Sequence, residues 1–229
     1  MVGDVLDQAF DLYKAHWKHL IGVALAFYLV ASAVVLVLTL LFGYYGVIAG
    51  AVVVLIGVFW LTGALIEAVA DIRDGRADLS LTETFARVGP RVLPLLGGSI
   101  LAAVAILLGL ALFIVPGLIL LTWWSLFSAA IVLEGRGVFE SFGRSRELVR
   151  GNGWSVFGVL VITYILTLIV SGVVRAIFAW LPDYVGSYIG QVVGGAVAAP
   201  IPALAVTVMY FRLAGPPAEA QPFAAFEPR

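Results

Sequence analysis

The first side chains that could do chemistry are His16 and His19, three positions apart and therefore on nearly one face of a helix. A zinc centre needs at least three protein ligands, and two imidazoles on one exposed helix fall short without a third from elsewhere. The chain has no cysteine. No serine, histidine and acid stand near one depth, so covalent catalysis has no visible apparatus. The reading is no catalytic residue, no metal and no cofactor. An ionisable side chain inside a bilayer is a functional candidate by default, and Glu67, Glu134 and Arg175 come nearest to that description. Arg175 lies about 21 residues, or ~32 Å of helix, beyond Trp154, at the far headgroups. Glu67 precedes Asp71 by one turn, close to a membrane boundary, and is the carboxylate to test for ion coupling.

The basic residues make the better candidates. Lys14, Lys18, Arg87, Arg91, Arg144, Arg146 and Arg150 are expected to ring one face at headgroup depth. There each is worth about 1 kcal/mol toward anionic lipid, although membrane topology alone also calls for basic residues there. Two further features bear on cavities and contacts. Pro200 and Pro202 fall inside an apolar run, where each removes a backbone donor and frees a carbonyl near Ala196 and Ala198. Gly186, Gly190 and Gly194 repeat every four residues, and Gly46 and Gly50 form a second such pair, giving small faces for close helix contact within the chain or between chains.

These residues must be carried by membrane spans. The chain has 229 residues, 62% of them hydrophobic and 12% charged, with a mean hydropathy of +1.10. Soluble domains carry about a quarter charged residues. A formal net charge of −1 excludes a basic nucleic-acid binder, and the composition excludes a disordered chain or a disulfide scaffold. Six apolar runs are long enough to cross ~30 Å of hydrocarbon: Leu20–Phe42, Val47–Val69, Val92–Ile114, Gly117–Leu133, Trp154–Val174 and Val185–Phe211. Short turns join them in pairs, at Gly43-Tyr-Tyr-Gly46, Val115-Pro-Gly117 and Trp180-Leu-Pro-Asp-Tyr184. Of the 13 Lys and Arg residues, Arg175 alone falls on the second side, which places both termini in the cytoplasm of a bacterial-type plasma membrane. The first ten residues hold two aspartates and no basic residue, so the first span is expected to remain as an anchor.

An amphipathic stretch precedes each pair of spans. In the first, Leu6, Phe10, Tyr13 and Trp17 share one face and Asp4, Asp7, Asp11, Lys14 and Lys18 the other. The second opens on a Ser80-x-x-Glu83 capping box, with Leu81, Phe85 and Val88 on one stripe. The third runs from Val138 to Val149 and stops at Gly151-Asn-Gly153. The spacing therefore predicts an all-α, six-span membrane bundle of three hairpins, each led by an interfacial helix. It occupies residues 1–214, with approximate repeats at 4–73, 79–136 and 137–212, and a disordered tail at 215–229.

The segment Gly137-Val-Phe-Glu-Ser-Phe-Gly-Arg-Ser-Arg-Glu-Leu-Val-Arg-Gly-Asn-Gly-Trp154, with an aromatic, Arg-Ser, Leu-Val-x-Gly and a Trp opening the next span, resembles bacterial six-helix proteins. These are named after the membrane domain of glycerophosphoryl diester phosphodiesterase. Val5-Leu-Asp-Gln-Ala-Phe-Asp-Leu-Tyr-Lys-Ala-His-Trp17 and Tyr210-Phe-Arg-Leu213 are similar too. The resemblance implies a stand-alone membrane domain without the phosphodiesterase barrel, since no stretch between spans has room for one. It implies no enzymatic activity. The leading reading is a non-enzymatic membrane protein that engages phospholipid headgroups, or scaffolds a protein partner, at its cytoplasmic face. A transporter or channel built at the kinked sixth span is the alternative, and a lipid-processing enzyme ranks below it.

Overall fold

The computed structural model describes residues 1–73 and 79–215, without the side chains of Asp183, Tyr184 and Ser187. Arg76, Arg229 and the proline-rich tail from position 216 lie outside the described residues. Every described element is a helix, as expected where backbone groups must be satisfied within their own segment. Six helical stretches are long and apolar enough to cross a membrane.

Helix α1 (Val2–Phe42) carries both the first amphipathic stretch and the first apolar run. The sequence reading separates these two. Nothing between Ala15 and Leu20 breaks a helix, so the chain only bends, at His16 (φ −123°, ψ 20°). Helix α2 (Tyr44–Arg73) follows after a single residue, Gly43, whose φ of 55° suits glycine. Gly46 is thus not part of the turn. It is a contact point, because a Cβ there would lie 1.9 Å from the Leu38 carbonyl oxygen.

The short helix α3 (Leu81–Val88) opens on the expected capping box. The Glu83 amide donates to Ser80 Oγ at 3.3 Å, and the Ser80 amide donates to Glu83 Oε2 at 2.9 Å. A 3-10 turn, Gly89–Arg91, leads into α4 (Val92–Leu112). The chain then reverses at Phe113, and not at the expected Val115-Pro-Gly117. Pro116 and Gly117 lie in the first turn of α5 (Ile114–Trp123). A proline there costs no hydrogen bond, and Gly117 lets α5 meet α4, since its Cβ would sit 2.6 Å from the Leu110 nitrogen.

The fourth apolar run is broken at Trp124–Leu126 and resumes as α6 (Phe127–Glu134). Helix α7 (Val138–Val149) folds back along α6, and α8 (Gly153–Phe178) is the fifth long helix. The sixth apolar stretch is α9 (Asp183–Ala198) and α10 (Pro200–Ala214), divided at Ala199. Helices α1 and α2, α4 and α5, and α8 and α9 pack in pairs.

The bundle is organised around its last stretch. In the most apolar window of each, 61% of Tyr188–Ala214 is buried against 17% of Gly153–Phe178. Leu204, Met209 and Tyr210 of α10 meet Leu20 and Val23 of α1, Leu65, Ile66 and Val69 of α2, and Ile131 of α6 in one core cluster. The outward faces remain apolar (Leu40, Val52, Leu107 and Ile169 are all exposed). Water would penalise such a surface, and lipid tails match it.

Candidate functional site

The ends of the even-numbered apolar runs meet the amphipathic stretches through charge. At the end of α2, Glu67 lies 3.4 Å from Arg87 and 4.0 Å from Arg91. At the end of α6, Glu134 Oε1 accepts from Arg144 Nε at 2.8 Å and from the Tyr210 hydroxyl, while Arg136 pairs with Oε2. At the end of α10 the polarity is reversed, and Arg212 lies 3.0 Å from Asp4 of α1. The first two junctions share a register. Trp60 precedes Glu67 by seven residues, as Phe127 precedes Glu134, and Phe85 precedes Arg87 by two, as Phe142 precedes Arg144. Their rings pack alike, Trp60 on Phe85 at 5.5 Å and Phe127 on Phe142 at 5.2 Å. Among the described residues Phe10 has no such ring partner; it is exposed and lies under Lys14.

These contacts sort the seven basic candidates. Arg87, Arg91 and Arg144 are engaged by carboxylates. The Glu134 carboxylate holds the Arg144 guanidinium above its ordinary pKa, so Arg144 stays charged in its pair. Lys14 and Lys18 lie over the rings of Phe10 and Trp17, at 5.4 and 5.8 Å. Among the described residues, neither Arg146 nor Arg150 meets a carboxylate. Glu67 is correspondingly no lone carboxylate, being held between two arginines.

Arg146 and Arg150 face a cleft of about 1150 Å³ between α5, α7 and the start of α8. On α7 the lining residues Gly143, Arg146 and Glu147 follow the i, i+3, i+4 spacing of one helical face, and Arg150, which caps the helix, follows just beyond its end. The Arg146 guanidinium lies 4.4 Å from the ring centroid of Trp123, a cation–π distance. Glu147 leans toward Arg144, at 3.8 Å. The second wall is apolar, formed by Val115, Leu118 and Ile119 of α5. The third is Asn152, Gly153, Trp154 and Ser155, where the amides of Gly153, Trp154 and Ser155 precede the first intrahelical bond, Val156 N–H to Asn152 O at 3.0 Å.

One buried serine fixes this geometry. Ser145, fully buried on the opposite side of α7, donates to the Trp123 carbonyl at 2.7 Å and accepts from the Leu126 amide at 3.0 Å. It thereby satisfies both ends of the break in the fourth run and sets Trp123 against Arg146. Sequence reading missed Ser145, Trp123 and Gly143. The usable signals were the Arg-Ser pair at 144–145 and a glycine in the middle of an otherwise regular helix.

Pro200 and Pro202 begin α10, and the Tyr13 hydroxyl of α1 donates to the Val197 carbonyl at 2.9 Å beside the break. Pro202 lines a smaller cavity of about 260 Å³ with Tyr28, Thr62 and Ser128. The glycine faces serve contacts within the chain. Gly186 and Gly190 back onto Phe178 and Arg175 of α8, Gly194 approaches the Ser171 carbonyl, and Gly50 meets Val35. His16 and His19 belong to no group of three or more metal-binding side chains among the described residues.

A family model described as "Domain of unknown function (DUF7847)" matches residues 16–215. No curated protein and no solved structure matches the chain.

Proposed function

The chain belongs to the DUF7847 family, and from that premise we propose a non-enzymatic, multi-pass protein of a bacterial-type plasma membrane that holds anionic phospholipid at its cytoplasmic face. Its three hairpins, each led by an amphipathic segment, repeat one unit. Both termini face the cytoplasm, where the arginines gather.

The observation that carries this reading is the cleft occupied by Arg146 and Arg150. Phe127 packs on Gly98, six residues into α4, or about 9 Å along its axis from Val92. Trp123 precedes Phe127 by one turn, on the side away from Val92, and its ring carries the Arg146 guanidinium. Arg146 and Arg150 meet no carboxylate among the described residues and stand open to the cleft, and the anion a bilayer supplies to such a pair is a lipid phosphate. The apolar α5 wall continues from that point toward the opposite face, as an acyl chain does. Trp154, 88% exposed at the head of α8, suits the interfacial belt. The resemblance to membrane domains of glycerophosphoryl diester phosphodiesterases fits the same chemistry without a catalytic half.

The test is native mass spectrometry of the detergent-purified protein. Discrete phospholipid adducts of fixed stoichiometry are expected, diminished in Arg146→Ala and Arg150→Ala. They should persist in Arg87→Ala, whose guanidinium is engaged by Glu67 away from the cleft. A bare protein, or adducts that survive both cleft substitutions unchanged, defeats the proposal.

A further inference from the structure

The cleft's chemistry points to a particular headgroup, an inference that rests on the lipid reading above. We propose that the cleft between α5, α7 and α8 selects a lipid whose headgroup ends in a phosphate monoester, over one with a phosphodiester headgroup.

The charge at the polar end of the cleft is mostly positive. Arg146 and Arg150 present guanidinium groups, and the amides of Gly153, Trp154 and Ser155 add backbone N–H groups ahead of the α8 hydrogen-bond ladder. The one lining carboxylate, Glu147, leans toward Arg144. A terminal phosphate offers acceptor oxygens and up to two negative charges, with no cation and no hydroxyl to satisfy. It therefore matches this wall group for group.

The diester headgroups match less well. An ammonium-bearing headgroup brings a further cation toward Arg146 and Arg150, which repel it, and the face of Trp123 is already covered by Arg146. A glycerol headgroup adds hydroxyls whose protons need acceptors. It also carries one negative charge where a terminal phosphate carries up to two, so the two guanidinium groups gain less from it.

The cleft also keeps room for such a ligand. At Gly143 and Gly153, a Cβ would meet no protein atom within 4 Å. Glycine is a poor helix former, yet Gly143 sits inside α7 on the face that carries Arg146. Packing against the described residues does not call for it, and without a side chain it leaves the approach to Arg146 open.

The experiment is a native mass spectrometry titration of the full chain with phosphatidic acid and with phosphatidylglycerol of identical acyl chains. A parallel arm adds inorganic phosphate as competitor. Phosphatidic acid should be retained about tenfold more tightly, the equivalent of one additional charge-assisted contact. The preference should disappear in Arg146→Ala. It should also disappear in Gly143→Leu, which fills the cleft while keeping a good helix former. Equal retention of both lipids, weakened together by Arg146→Ala, overturns the headgroup assignment and leaves the lipid reading intact. Retention of neither overturns both. Displacement of phosphatidic acid by inorganic phosphate at equal concentration overturns the requirement for a lipid and makes free phosphate the ligand.

Discussion

At the scale of single residues, neighbouring side chains on α7 have opposite duties. Arg144 is tied to Glu134 and through it to Tyr210 of the central helix, so it is a structural cation. Two positions on, Arg146 points into the cleft on the face of Trp123. Ser145 lies between them with both of its bonds spent on the break in the fourth run. Ser145→Ala leaves a part-buried carbonyl and a buried amide without that partner, and the expected loss is about 1–3 kcal/mol. Thermal unfolding in detergent, followed by tryptophan fluorescence, measures it. An unchanged midpoint would mean that the break closes on itself without help from α7.

At the scale of helices, close approach decides which glycines matter. Gly46 faces the backbone of α1, where a Cβ would come within 1.9 Å of a carbonyl oxygen that cannot move aside, whereas Gly22 of α1 has no atom within 4 Å of that position. Gly46→Ala should therefore force α1 and α2 apart at a cost of about 1–3 kcal/mol. Gly22→Ala should be neutral or stabilising by up to ~1 kcal/mol through helix propensity. Melting temperatures of the two variants, measured side by side, are expected to move in opposite directions. The same logic explains why Pro116-Gly117 is not a turn: the proline begins a helix and the glycine lets that helix touch α4.

For the whole molecule, the testable property is which way it sits. The chain lacks cysteine, so single cysteines report sidedness without background. A membrane-impermeant thiol reagent applied to right-side-out vesicles should label Tyr45→Cys, beside the Gly43 turn. It should reach Ser80→Cys, at the start of α3, only after lysis. The reverse pattern would place the cleft on the outer face and remove the cytoplasmic reading. The first and last described helices also meet, because Arg212 bonds Asp4 and α10 packs along α1. The carboxylate–arginine junctions of α2 with α3 and of α6 with α7 are thus continued by a third with reversed charge.

Length, composition and apolar runs determined the class of this protein, because any run long enough to cross a bilayer must close its hydrogen bonds as a helix. The Ser80–Glu83 cap was legible for a related reason, since its two bonds join residues three apart. The seven basic candidates were legible as cations, with no sign in the sequence of which were already engaged. Arg144 and Arg146 look alike in a list of cations, and only the fold brings Glu134 to one and Trp123 to the other. The break at Trp124–Leu126 carries no proline or glycine, so no local signal marks it. It exists because Ser145, some twenty residues later, satisfies the backbone groups that it exposes. The cleft followed from the same long-range contact. Local periodicity set the helices, and partners distant in sequence decided which arginines are tied to carboxylates.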